Sequence, residues 1–358
     1  MSADQARGYG LEGVNAADTR ISHVDGERGQ LVIASRDVEE LAASGTFEEV
    51  AQAVLDAGRS SPLALATRLR HARLAAWELL PRLGDALEAT DGMEALRAGL
   101  SHLWATGDDD ADAIAAIGAA PVLVAAWSRT RRGLAPVAPS ADHDHPTDYL
   151  RMTTGVVPEM AAAKALGAYL ITVIDHGMNA STFTARVIAS TASDLISAVV
   201  GAVGALKGPL HGGAPGPVLD MLDAIGTSAN AEAWLLEELV AGHRIMGMGH
   251  RIYRVRDPRA AVLELAVKPL NTARLALAHA VEAAAAKILR ERKPDRPLAA
   301  NVEFYTAVLL DAVGLPREQF SPTFAVGRIA GWCAHVLEQR RTGKLIRPAS
   351  TYVGALPS

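Results

Sequence analysis

Apolar residues recur at helical spacing along almost the whole chain, and strand-like alternation is confined to one place near the start. There, residues 21–24 and 30–34 flank Asp25, Gly26 and Gly29, which predicts a small hairpin. Because strands and helices do not alternate afterwards, doubly wound sheets and α/β barrels are excluded. The expected fold is all-α. Aromatics make up only 4% of the chain while alanine is abundant, which suits close helix packing better than a β-sandwich.

Local signals divide the helical part. Thr46 and Glu49 form a capping-box pattern ahead of 47–55, and Pro62 is placed to open a helix running to about Pro81. Asp91 starts another, closed by Gly107, and the acidic run 108–112 suits a further N-terminus. The proline-bearing stretch 133–146 reads as a loop. Helices are then expected near 147–154, 158–175, 181–191, 193–206, 228–240, 258–290, 301–313 and 322–341.

With 358 residues, two domains are expected. Apolar residues at 49% and charged residues at 21% give ample core and exclude disorder as the main state. A net charge of −5 gives no basis for binding nucleic acid or an anionic membrane. The apolar run 113–127 reads as too short to span a bilayer, and no signal-peptide pattern opens the chain, so a cytoplasmic protein is expected. The lone Cys333 excludes an intrachain disulfide and reads as a core thiol. Asp142-His-Asp-His145 superficially suggests metal, but adjacent residues in a proline-rich segment rarely converge on one ion, so it reads as a solvated loop. No metal site and no cofactor are expected.

Four segments carry the chemistry. Asp175-His-Gly-Met-Asn-Ala-Ser-Thr-Phe-Thr-Ala-Arg186 sets His176 and Asn179 one turn apart, and Gly208-Pro-Leu-His-Gly-Gly-Ala214 places His211 among glycines. Gly247-Met-Gly-His-Arg-Ile-Tyr-Arg-Val-Arg-Asp-Pro-Arg259 follows His250 with four arginines, and Asn301-Val-Glu-Phe-Tyr305 puts an acid at the start of an apolar helix. Each histidine alone is more often structural than catalytic, and Glu303 alone could simply favour a helix N-terminus. Together, three histidines, an acid and several arginines suit removal of a proton beside a carbonyl and grip on an anionic substrate.

In order and content these segments, with Phe324-Ala-Val-Gly-Arg-Ile-Ala-Gly-Trp332 and Ile346-Arg-Pro348, resemble the citrate synthase family; Gly10-Leu-Glu-Gly-Val and Asp25-Gly-Glu-Arg look like its bacterial members. The resemblance implies a two-domain helical fold, with a large domain of 1–209 and 313–358 and a small domain of 210–312 that closes over the substrates. Glycines 208, 212, 213, 247 and 249 are candidate hinges. It implies condensation of acetyl-CoA with oxaloacetate, with 2-methylcitrate synthesis from propionyl-CoA, or a weakly catalytic binding paralogue, as alternatives. Matched position by position, Glu303 is the base, His211 the electrophile at the thioester and His250 the electrophile at the ketone. His176, Asn179, Arg259, Arg328 and Arg347 match oxaloacetate-binding positions, with Ser181 in support. Arg254 matches a CoA-phosphate contact, and Ile245, Met246, Gly247 and Gly249 the adenine cradle. Arg347 matches a residue reaching in from a second subunit, which implies a homodimer. Members inhibited by NADH carry a longer N-terminal region, so no NADH regulation is expected. Two positions depart from the family: Glu303 stands where Asp is usual, and Gly177 where many members have Glu.

Overall fold

The computed structural model describes residue 11 and residues 13–58, 65–211, 215–292 and 298–356. Pro62, Gly212, Gly213 and parts of the Gly10–Val14 segment lie outside these. The chain opens with an antiparallel sheet, β1 (Ser22–Asp25), β2 (Gln30–Ile33) and β3 (Arg36–Asp37), in that spatial order. Ser22 pairs with Ile33 and Asp25 with Gln30, so the expected hairpin is present with a short third strand that the sequence reading missed.

Fifteen α-helices follow among the described residues. They are α1 (Val38–Ser44), α2 (Phe47–Ala57), α3 (Leu65–Trp77), α4 (Gly92–Leu100), α5 (Asp109–Arg131), α6 (His145–Thr154), α7 (Met160–Val173) and α8 (Ala180–Ser190). After them come α9 (Leu195–Leu206), α10 (Pro215–Ile225), α11 (Ala231–Val240), α12 (Pro258–Val267), α13 (Ala273–Arg292), α14 (Val302–Ala312) and α15 (Phe320–Thr342). The fold is all-α.

Caps placed several boundaries correctly. Thr46 and Glu49 form the reciprocal capping box of α2, and the Asp108 carboxylate accepts the N–H groups of Asp110 and Ala111 at 3.0 and 3.2 Å. Other boundaries differ. The stretch 258–290 is two helices, separated by a tight turn at Lys268–Leu270 with Asn271 in the left-handed region (φ 49°). α10 lies between the expected helices 193–206 and 228–240, where none was expected, and it opens on Pro215, which is tolerated in a first turn. α5 is 23 residues long, longer than the interrupted run at 113–127 implied, and is apolar enough to cross a membrane. It is instead a core helix, packed by α3, α4, α6, α9 and α15. The 142–145 tract is not uniformly solvated: Asp142 and Asp144 are exposed, while His145 is buried and stacks on Phe47 with ring centroids 4.7 Å apart. No cluster suited to a metal occurs among the described residues.

Buried α15 does most to position the site. It lies against the end of α7, and a Cβ at Gly331 would fall 2.2 Å from the Ile174 carbonyl oxygen. Only glycine there lets the two backbones approach so closely. That contact places Arg328 and Trp332 beside the Asp175–Gly177 turn.

Candidate active site

Four short segments converge at this turn. Asp175 is buried, accepts the N–H of Gly177 at 3.1 Å and the hydroxyl of Ser22, and receives His335 Nε2 at 3.1 Å. Burial opposes its ionisation, but His335, Arg328 and Ser22 outweigh that and hold the carboxyl below its ordinary range. Behind it, Arg186 Nε donates to His335 Nδ1 at 2.9 Å, which leaves the ring proton on Nε2 for Asp175. Arg186 also pairs with Glu338 and donates to Gln339 at 2.9 Å. Asp175, His335, Arg186 and Ser22 are contributors that the site reading missed. Their partners lie up to 160 residues apart, and no local pattern marks them.

Gly177 has φ 60°, so the turn that presents His176 uses a left-handed backbone that glycine adopts without strain. This gives the departure from the family's usual Glu a backbone rationale. His176 is nearly buried, its Nε2 3.1 Å from the Tyr253 hydroxyl and its ring 5.6 Å from that of His250. Burial, with Arg259 and Arg328 nearby, holds it well below the ordinary imidazole range, so it is neutral.

His250 is fixed by its own loop. The N–H groups of Ile252 and Tyr253 donate to Nδ1 at 3.0 and 3.1 Å, so the ring proton sits on Nε2, free to be donated. Burial and Arg259 push its pKa down to about 4. His211 has the opposite tautomer. Ser181 N–H donates to its Nε2 at 3.3 Å, which puts the proton on Nδ1. Burial and Arg328 again keep the ring neutral. Ser181 Oγ lies 2.8 Å from both His211 Nε2 and Asn179 Oδ1, and accepts from Trp332 at 3.2 Å. Asn179 itself is the N-cap of α8, its Oδ1 accepting Thr182 N–H at 3.1 Å.

Glu303 sits in the first turn of α14, where Asn301 Oδ1 accepts its N–H at 3.0 Å. Asn301 also donates to the Gly249 carbonyl at 2.8 Å, tying this helix start to the loop before His250. The Glu303 residue is half-buried, yet its Oε2 is fully buried and has no hydrogen-bond partner. Burial, with Asp257 adding to it and Arg259 and Arg328 opposing, raises the carboxyl to about 7. The Tyr169 hydroxyl, which also feels Glu303, Arg328 and Arg259, is another unpartnered buried group that the sequence did not flag.

The two arginines differ. Arg259 is held by Asp257 through bonds of 3.0 and 2.8 Å. Arg328 donates to the Val173 carbonyl and stacks on Phe324 at 4.6 Å, and burial lowers its pKa to about 10. Its charge reaches His176, His211 and Glu303 alike, so it marks the centre of the group.

The remaining candidates are placed less uniformly. Ile245 is buried, Met246 half-buried, and Gly247 and Gly249 have φ 74° and 85°. A Cβ at Gly247 would meet Phe304 at 2.9 Å, so the loop packs directly on the first turn of α14. Arg254 is exposed, with Glu27 at 4.0 Å. Arg347 is not brought to the histidines. It is exposed beyond α15 and lines a cavity of about 650 Å³ with residues of the 11–20 segment.

Grouped about Arg328, then, stand three neutral histidines, a carboxyl with an unpartnered oxygen, and the second buried guanidinium, that of Arg259. The family model described as "Citrate synthase, C-terminal domain" matches residues 10–349. The chain belongs to the citrate synthase family. It is 37% identical to the citrate synthase of Deinococcus radiodurans, over 97% of this chain and 95% of that one. It is 36% identical to the 2-methylcitrate synthase of Mycobacterium tuberculosis, over 96% and 90%. The fold matches the citrate synthase of Thermoplasma acidophilum, solved with carboxymethyl coenzyme A and oxaloacetate, with a TM-score of 0.86 at 25% identity, covering 98% and 97% of the two chains.

Proposed function

We propose that this member of the family condenses acetyl-CoA with oxaloacetate to give citrate and free CoA. The observation that carries this is the buried, unpartnered oxygen of Glu303 in the company of two neutral imidazole donors of opposite tautomer. A thioester methyl group is far too weakly acidic for a carboxylate alone. Glu303 takes the methyl proton while His211 Nδ1–H hydrogen-bonds the oxygen on which charge develops. Neutral imidazole suits this role, because it keeps its proton while stabilising the enolate. His250 Nε2–H polarises the ketone of oxaloacetate, the enolate carbon attacks that carbonyl carbon, and a C–C bond forms as the C=O π bond opens onto oxygen, which takes the His250 proton. Water then cleaves the thioester and CoA leaves as the thiol.

In this reading Arg259, Arg328 and His176 hold the oxaloacetate carboxylates, with Asn179 and Ser181 fixing the turn beside them. Arg347 completes the site from the partner of a homodimer, and its exposure away from this chain's own histidines supports that role. Arg254 meets CoA phosphate, and the Ile245–Gly249 loop holds the adenine. The large domain comprises 1–209 and 313–358; the small domain, 210–312, closes over the substrates. No cofactor enters the reaction, and the expected setting is the cytoplasm.

Propionyl-CoA differs by one methyl, worth about 1–3 kcal/mol in an apolar pocket. Thiol release with oxaloacetate and acetyl-, propionyl- or butyryl-CoA tests the proposal. The largest kcat/KM with acetyl-CoA supports it, and a preference for propionyl-CoA assigns 2-methylcitrate synthesis instead. No thiol release with any of the three leaves only a binding role.

A further inference from the structure

We propose that the β1–β2 hairpin is a positioning element for this reaction, with Ser22 and Gly26 as its two positioning residues. The inference rests on the citrate-forming reading of the site. β1 is four residues long, and its first residue and the turn that follows it touch different halves of the site. At one end, Ser22 Oγ donates to Asp175 and accepts the N–H of Gly177 at 2.9 Å, bracketing His176. At the other, the Gly26 carbonyl accepts the N–H of Arg254 at 2.9 Å. A Cβ at Gly26 would stand 2.4 Å from the carbonyl oxygen of Ile252, so backbone lies directly on backbone.

The segment met there is the one that fixes His250. Ile252 and Tyr253 supply the two N–H groups that set its tautomer, and the Tyr253 hydroxyl reaches His176. The hairpin is itself anchored, because β2 buries Leu31 and Ile33 in the core. One short, anchored strand therefore sets the spacing between the turn carrying His176 and the loop carrying His250.

Gly26 is not in the left-handed region, so Gly26→Ala carries no backbone strain of its own, and its effect comes from displacing the 252–254 segment. We expect kcat/KM for oxaloacetate to fall roughly ten- to a hundredfold, as for a misplacement near 1 Å. Ser22→Ala should cost about tenfold, and the double variant less than the product of the two, because both act through one spacing. His23→Ala, exposed on the same strand, should match wild type. Hydrogen exchange gives a readout independent of turnover: Gly26→Ala should lose amide protection at 252–254 and at 175–177. Wild-type kcat/KM per folded molecule in Gly26→Ala, or loss of protection confined to 252–254, overturns the proposal. If the wild-type enzyme releases no thiol, the functional reading fails, while the exchange result still decides whether the hairpin links the two segments.

Discussion

Two buried carboxyl groups in this protein face opposite circumstances. Asp148, wholly buried in the first turn of α6, receives Arg73 Nε of α3 at 2.9 Å, Arg151 at 3.0 and 2.8 Å and Ser140 N–H at 3.0 Å. Glu303, at the start of α14, has one buried oxygen that receives nothing. A buried charge matched on every side is a structural device, and a buried acceptor left open costs stability and is kept for something else. The difference lies in the donors the fold sends to each group, since both are ordinary acids in ordinary helices.

The comparison breaks if exchanging the groups' chemistry does not separate stability from turnover. Glu303→Gln keeps the shape and removes the base, so kcat should fall about a hundred- to ten-thousandfold in a thiol-release assay, with oxaloacetate affinity by calorimetry nearly intact. Arg73→Met should do the reverse. It strips Asp148 of a buried partner, and denaturant unfolding should show a loss of about 3–5 kcal/mol with unchanged kcat per folded molecule.

A sharper test uses pH. The Glu303 carboxyl is raised from its ordinary value near 4.5 to about 7, so the folded state holds a proton there that the unfolded chain has lost. The stability linked to that proton is full below pH 4.5 and is lost as pH rises through 7. Unfolding at pH 8 should therefore find Glu303→Gln more stable than wild type, by up to about 3 kcal/mol, with the gain disappearing in acid. The smallest expected effect is that of Ser181→Ala, about tenfold in kcat/KM. The backbone N–H of residue 181 still fixes His211, while the hydroxyl contacts to His211, Asn179 and Trp332 are lost.

Local signals carried much of this architecture. Helical periodicity excluded alternating α/β folds, the capping box at Thr46 and the acidic run from Asp108 set helix starts, and the glycine-flanked histidines stood out, whereas the Asn301 cap of α14 went unmarked. What stayed hidden depends on distance along the chain. Nothing near His335 or Arg186 announces Asp175 or Glu338, and Ser22 sits in an unremarkable strand 153 residues before the carboxylate it supports. Local sequence also fell short at α10, where no helix was expected, and where a continuous apolar pattern was cut, as at Asn271 between α12 and α13.

The central claim is that the open carboxyl of Glu303 is the base, and the pH dependence of wild-type kcat/KM tests it most directly. It should fall tenfold per pH unit on the acid side of an apparent pKa near 7, as the free enzyme's base becomes protonated. A plateau that continues unchanged down to about pH 5.5 would mean that the base is an ordinary exposed carboxylate or another group, and would contradict the assignment.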